Sequence, residues 1–143
     1  MKGLDRTAAG LLYLADRAQH IARVIKPALD RGDWVVSDRF SDSALVYQPD
    51  WQRLMYEIIP AIGTTAIPDL TLLIDVSPQT AASRCMIRDA KPADVGELAG
   101  LRRRYLSLAE RDINRWRIVD GAGTPGDVTE RIETELEKIN GRK

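Results

Sequence analysis

Residues 11–48 read LLYLADRAQHIARVIKPALDRGDWVVSDRFSDSALVYQ, and the succession of patterns inside this stretch decides the fold class. Leu11, Leu14, Ala15, Ala18, Ile21, Ala22, Ile25 and Leu29 recur at helical spacing, which predicts an amphipathic helix over residues 7–31. Pro27 is expected to kink it, having no N–H to give, and Gly32 to end it. At about 100° per residue, Tyr13, Arg17, His20 and Val24 fall on a second stripe, so Tyr13 and Arg17 point together away from the apolar face. Trp34, Val35, Val36 and Ser37 follow as a short continuous run of strand type and are read as a buried parallel strand. That strand ends on Asp38 and Arg39. In open α/β sheets ligands collect beyond the carboxyl ends of the strands, where a guanidinium can hold a phosphate or carboxylate.

The same alternation continues outward from this stretch. Trp51, Leu54, Met55, Ile58, Ile59 and Ile62 predict a second helix over residues 50–62, disturbed near its end by Pro60. Pro68 and Asp69 introduce a second buried-strand candidate at 70–76, and Ser77 with Pro78 has the form of a helix cap followed by a first-turn proline. The helix so begun carries Arg84, Cys85 and Arg88. Residues 89–100, with Pro92, Gly96 and Gly100, read as a loop or lid. Leu101, Tyr105, Leu108 and Ala109 share one face of an arginine-rich helix, and Trp116 to Val119 make a third short strand. Thr124, Pro125 and Asp127 open a last helix whose apolar stripe is Val128, Ile132, Leu136 and Ile139. Helix alternating with strand is the pattern of a parallel α/β layer.

The chain of 143 residues fits a single domain, and 44% apolar with 29% charged residues is ordinary for a globular protein. Its 21 basic and 21 acidic side chains cancel, so the overall charge points to neither a nucleic-acid nor a membrane partner, and any anion site must be local. The single cysteine, Cys85, excludes an internal disulfide or a cysteine metal cluster. With no secretory signal and no apolar run long enough to span a bilayer, the expected setting is the reduced cytoplasm.

Several blocks give the chain a resemblance. Ala15-Asp16-Arg17-Ala18-Gln19-His20, Val24-Ile25-Lys26-Pro27-Ala28-Leu29, Ser37-Asp38-Arg39-Phe40 with Ser43 and Tyr47-Gln48, Pro68 through Val76, Arg103-Tyr105-Leu106 and Val119-Asp120 follow one another as they do in thymidylate kinases. The chain resembles the C-terminal two thirds of that family. The resemblance implies a P-loop NTPase-like α/β fold, a parallel sheet with flanking helices, here reduced to about three strands. It also implies roles for single residues. Tyr13 would stack on the thymine, Arg17 would hydrogen-bond the base edge, Arg39 would bind the acceptor phosphate, and Tyr47 would lie against the deoxyribose, with Ser43 and Gln48 completing the pocket. Asp38 would stand near the magnesium through its waters. Arg84 and Arg88 are the candidate lid arginines. A guanidinium fork suits a phosphate monoester because it offers two parallel charge-assisted donors.

The activity implied is transfer of the γ-phosphate of ATP to dTMP with magnesium, giving dTDP and ADP. Phosphoryl transfer rests on positioning and charge neutralisation by a phosphate-cradling loop, a metal ion and cationic side chains. These 143 residues contain no G-x-x-x-x-G-K-[ST], so the chain alone is expected to bind no ATP in the usual way and to show little or no kinase activity. In the family the loop-bearing strand lies between the Asp-Arg strand and the strand at 70–76. Its absence is expected to leave a gap, explained by a split gene with a separate N-terminal fragment, a start assigned too late, or a decayed remnant whose strands close up. A non-catalytic deoxynucleotide-binding module and a deoxynucleoside kinase are the alternatives. Ala44 stands where the family has a residue able to contact thymine, and Phe40 replaces a commoner tyrosine. A homodimer is expected through Trp51, Leu54 and Ile58.

Blander readings stand beside these. An Asp-Arg pair at a strand end often serves only as a helix cap with a surface ion pair, and Tyr13 and Arg17 equally suit helix packing and a solvated charge. His20 reads as a helix-surface residue and Cys85 as packing. Arg102-Arg103-Arg104 reads as a solvated helix face or the border of an anion site, and Asp75 as a helix cap or an acid near the site.

Overall fold

The computed structural model describes residues 4–47, 66–89 and 92–140, which divide into two compact units, Met1–Ile67 and Pro68–Lys143. The first begins with α1 (Arg6–His20), capped by Asp5, whose carboxylate accepts the Thr7 and Ala8 amides at 2.8 and 3.3 Å. Ahead of Pro27 the helix widens into one π-helical turn, Ile21–Ile25, and resumes as α2 (Lys26–Asp30). Proline lacks the N–H that would close the α-helical bond to Arg23, and the wider turn carries the chain past that gap. The expected kink is therefore a change of helix type. Gly32, at φ 82°, then stops the helix: its amide meets the Leu29 carbonyl at 2.9 Å and the Asp33 amide meets Ala28 at 3.0 Å, the paired bonds of a Schellman ending.

Residues 33–37 differ from expectation. They are extended but join no sheet among the described residues, and the run read as a buried strand lies open, with Trp34 79% and Val36 92% exposed. A strand run is buried only when neighbours flank its edges and cover its faces, and no described segment pairs with this one. The polar stretch after it forms α3 (Ser41–Tyr47), anchored by the buried Leu45 and Val46. Gln48 and the helix expected over 50–62, with Trp51, Leu54 and Ile58, lie outside the described residues.

The second unit holds the sheet. β1 (Thr71–Asp75) and β2 (Trp116–Asp120) run parallel, in register from Thr71 opposite Trp116 to Asp75 opposite Asp120. Two of the roughly three expected strands are thus paired. The α/β class stands, while 34–37 is corrected to an unpaired extended segment. Ser77 caps α4 (Pro78–Asp89) as expected, its hydroxyl accepting the Thr80 amide at 3.1 Å. The lid region also needs correction, because α5 (Val95–Arg111) starts inside it. Asp94 is its cap, accepting the Glu97 amide at 2.8 Å, and that bond together with tertiary packing outweighs the helix-weakening Gly96 and Gly100. α5 packs on α4 and on both strands, and α6 (Pro125–Asn140) packs on β2. The core around β2 is Leu108, Ala109, Trp116 and Val119. At the strand ends the Gly121 amide bonds the Asp75 carbonyl at 2.7 Å, so close that a Cβ there would sit 2.7 Å from Val76 and 2.8 Å from Ile74.

Candidate functional site

The site expected in the first unit is built around one turn. Between the extended segment and α3, Asp38, Arg39 and Phe40 bend the chain, and Arg39 does so at φ 66°. A non-glycine residue in this left-handed region carries roughly 1–2 kcal/mol of strain, because its Cβ crowds the following carbonyl. The strain is held by specific bonds. The Ser37 hydroxyl donates to the Arg39 carbonyl at 2.8 Å, and the Phe40 carbonyl accepts the Ser43 amide at 3.2 Å as α3 begins. Strain kept in this way is commoner at ligand clamps than elsewhere.

Two arginines meet aromatic rings here. The Arg39 guanidinium lies 5.3 Å from the centre of the Tyr47 ring, so the structure brings together the expected phosphate and sugar residues. Arg17, on α1, reaches the same turn: its Nη2 donates to the Phe40 carbonyl at 3.2 Å and its guanidinium covers the Phe40 ring at 5.1 Å. Burial lowers the Arg17 pKa from its ordinary value despite the opposing pull of Asp42 and Asp16, but a guanidinium stays cationic at any physiological pH. Its Nη1 is buried with no hydrogen-bond partner among the described residues. Tyr13, one turn earlier on α1, is 54% exposed.

Asp38 is exposed and has no hydrogen-bond partner among the described residues. Among those residues no three His, Cys, Asp or Glu side chains gather to hold a metal, so a lone Asp38 carboxylate fits an ion only through water. His20 is exposed at the end of α1, and Cys85 is a half-buried free thiol in α4.

The candidate lid arginines belong to the second unit. Arg84 Nη2 donates to the Gly123 carbonyl at 3.2 Å, and Arg84 lines a shallow depression with Ile74, Gly123, Pro125 and Val128 beyond the strand ends. Arg88 is exposed on the same helix. Asp75 is not the cap of α4, a place that Ser77 takes. It forms a two-pronged pair with Arg102, at 2.7 Å on each side, so one member of the arginine run is committed and the run is not simply a solvated face. Sequence reading missed that pairing and the role of the Phe40 carbonyl, which no side-chain pattern announces.

A parallel α/β layer with helices packed on its strands places the protein in the α/β class. Comparison with known proteins narrows the class. The thymidylate kinase family model matches residues 1–132. A probable thymidylate kinase of Methanosarcina acetivorans is 38% identical over 145 residues, covering 92% of this chain and 68% of the relative. The thymidylate kinase of Carboxydothermus hydrogenoformans is 42% identical over 139 residues, with the same two coverages of 92% and 68%. The crystal structure of thymidylate kinase from Ehrlichia chaffeensis shares the fold at a TM-score of 0.67 and 24% identity, over 100% of this chain and 70% of that one. This chain belongs to the thymidylate kinase family.

Proposed function

We propose that the chain carries the acceptor side of a thymidylate kinase reaction, in which ATP and dTMP give dTDP and ADP. The observation that supports this best is Arg39, an exposed guanidinium held on a strained turn against Tyr47. In this reading Arg39 receives the acceptor phosphate, Tyr47 the deoxyribose, Tyr13 the face of the thymine and Arg17 its edge, with Ser43 and Gln48 at the margin. Arg84 and Arg88 serve the lid, a homodimer is the assembly and the cytoplasm is the setting. Magnesium, when bound, supplies charge neutralisation for the moving phosphoryl group, and Asp38 would meet it through water.

The residues do not fit a complete ATP site, because G-x-x-x-x-G-K-[ST] occurs nowhere in the 143. Assayed as it is, this polypeptide is expected to form no dTDP, and measurable ATP-dependent dTDP formation would overturn that expectation. The second reading is a deoxynucleotide-binding module without catalysis, which would use the same pocket. Calorimetric titration with dTMP tests the shared premise. Arg39→Ala should weaken binding by about a hundredfold, the value of two charge-assisted hydrogen bonds. A chain that binds no dTMP, or a variant that binds it equally well, rejects the acceptor site.

A further inference from the structure

Arg17 stands where two requirements meet in one rigid group. Its Nη2 holds the Phe40 carbonyl at 3.2 Å, its plane covers the Phe40 ring, and its Nη1 is a buried donor with no partner among the described residues. The Phe40 carbonyl that it grips also receives the Ser43 amide, so one oxygen ties α1 to the start of α3. The residue just before that oxygen is Arg39, in the left-handed region. A planar guanidinium cannot turn one prong without turning the other.

We infer that Arg17 is a positioning residue that couples the two ends of the acceptor site: through the Phe40 carbonyl it fixes the Asp38–Phe40 turn and with it the phosphate-binding posture of Arg39. The inference rests on the acceptor reading above and deepens it. A base edge held by the Arg17 fork steadies it, and Nη2 carries that order to the turn. Base recognition and phosphate capture then reinforce each other. Ser37 supports the turn from the opposite side, its hydroxyl on the Arg39 carbonyl at 2.8 Å.

The test compares dTMP with deoxyribose 5-phosphate, a probe with no base for Arg17 to touch, on the 143-residue chain and two variants. Arg17→Lys keeps the charge but offers a single ammonium in place of the fork, and Ser37→Ala loosens the turn without touching Arg17. The expected result is that Arg17→Lys weakens deoxyribose 5-phosphate by roughly tenfold, the value of one charge-assisted bond, and Ser37→Ala by roughly fivefold, the value of one neutral bond. Each should also speed hydrogen exchange of the Ser43 amide while the amides early in α1 stay unchanged. If Arg17→Lys weakens dTMP alone, and leaves both deoxyribose 5-phosphate and Ser43 exchange as they were, Arg17 acts only at the base and the coupling is wrong. If the unaltered chain binds neither ligand, the acceptor reading fails separately. Ser43 exchange then decides the positioning role alone, faster exchange in Arg17→Lys supporting it and unchanged exchange rejecting it.

Discussion

Residues 34–37, Trp-Val-Val-Ser, and residues 71–75, Thr-Leu-Leu-Ile-Asp, are the same kind of sequence, short apolar runs set between polar turns. One is an exposed extended segment and the other is a paired strand. The difference lies in what stands beside them. β1 has β2 along its length and α5 against it, whereas no described segment pairs with 34–37. Strand propensity measures how well a residue fits a half-covered pleated surface, and it cannot supply that surface.

Hydrogen exchange gives the widest contrast between the two. Amides such as Thr71, bonded to Arg115 at 2.9 Å, and Gly121, bonded to Asp75 at 2.7 Å, should exchange only through large-scale opening, about a thousandfold or more slower than those of Val35 and Val36. Equal rates would mean either that the sheet frays freely or that 34–37 finds a partner in solution. Tryptophan truncation sharpens the same contrast. Trp116 is 4% exposed and Trp34 79%, so Trp116→Ala should cost about 3–5 kcal/mol in urea unfolding and Trp34→Ala less than about 0.5. A large loss at Trp34 would show that something covers it.

Gly121→Ala probes the closeness of the strand ends. The new methyl would meet Val76, Ile74 and the Asp75 carbonyl within 3.1 Å, and the expected cost is about 1–3 kcal/mol, read from the shift of the thermal midpoint. The smallest effect belongs to a feature that needs no neighbouring strand. Asp127 accepts the Thr124 amide and hydroxyl at 2.7 and 2.8 Å, which holds its carboxyl below the ordinary range. Its folded pKa lies under its unfolded one, so its contribution is complete above the ordinary aspartate value and is lost as pH falls through its own lower value. A stability gap between Asp127→Asn and the unaltered protein should therefore appear near about pH 6 and close near about pH 2. A gap that stays constant with pH would place the effect outside this cap.

Local signals were legible, and distant ones were not. The helical period at 7–31, Gly32 as its stop, Ser77 before α4 and the Thr124–Asp127 pair before α6 all act within a few residues and stand where the pattern puts them, but of the α1 stripe only Ile21 and Ile25 are buried, while Leu11, Ala15, Ala22 and Leu29 are exposed. β1 and β2 were readable from apolar runs between turn residues and their parallel direction from the helix–strand alternation, but the register of their pairing needed the sheet. Gly96 and Gly100 give residues 89–100 the look of a lid, whereas the cap that starts α5 inside that stretch is the single side chain of Asp94. α3 went unread because its seven residues are too short to show a period. At the site, Arg17 and Tyr13 were correctly placed on one helix stripe. What Arg17 grips could not be read, since its partner is a backbone oxygen 23 residues away.

The π-helical turn at Ile21–Ile25 fits one more residue into a turn than an α-helix does. Removing Ala22, which is exposed, would therefore take that extra residue out and close the turn to an ordinary α-helical one, leaving everything upstream in the same rotational phase. Tyr13 and Arg17 would keep their aim, and the change would fall instead on Pro27, whose ring would then meet the Arg23 carbonyl.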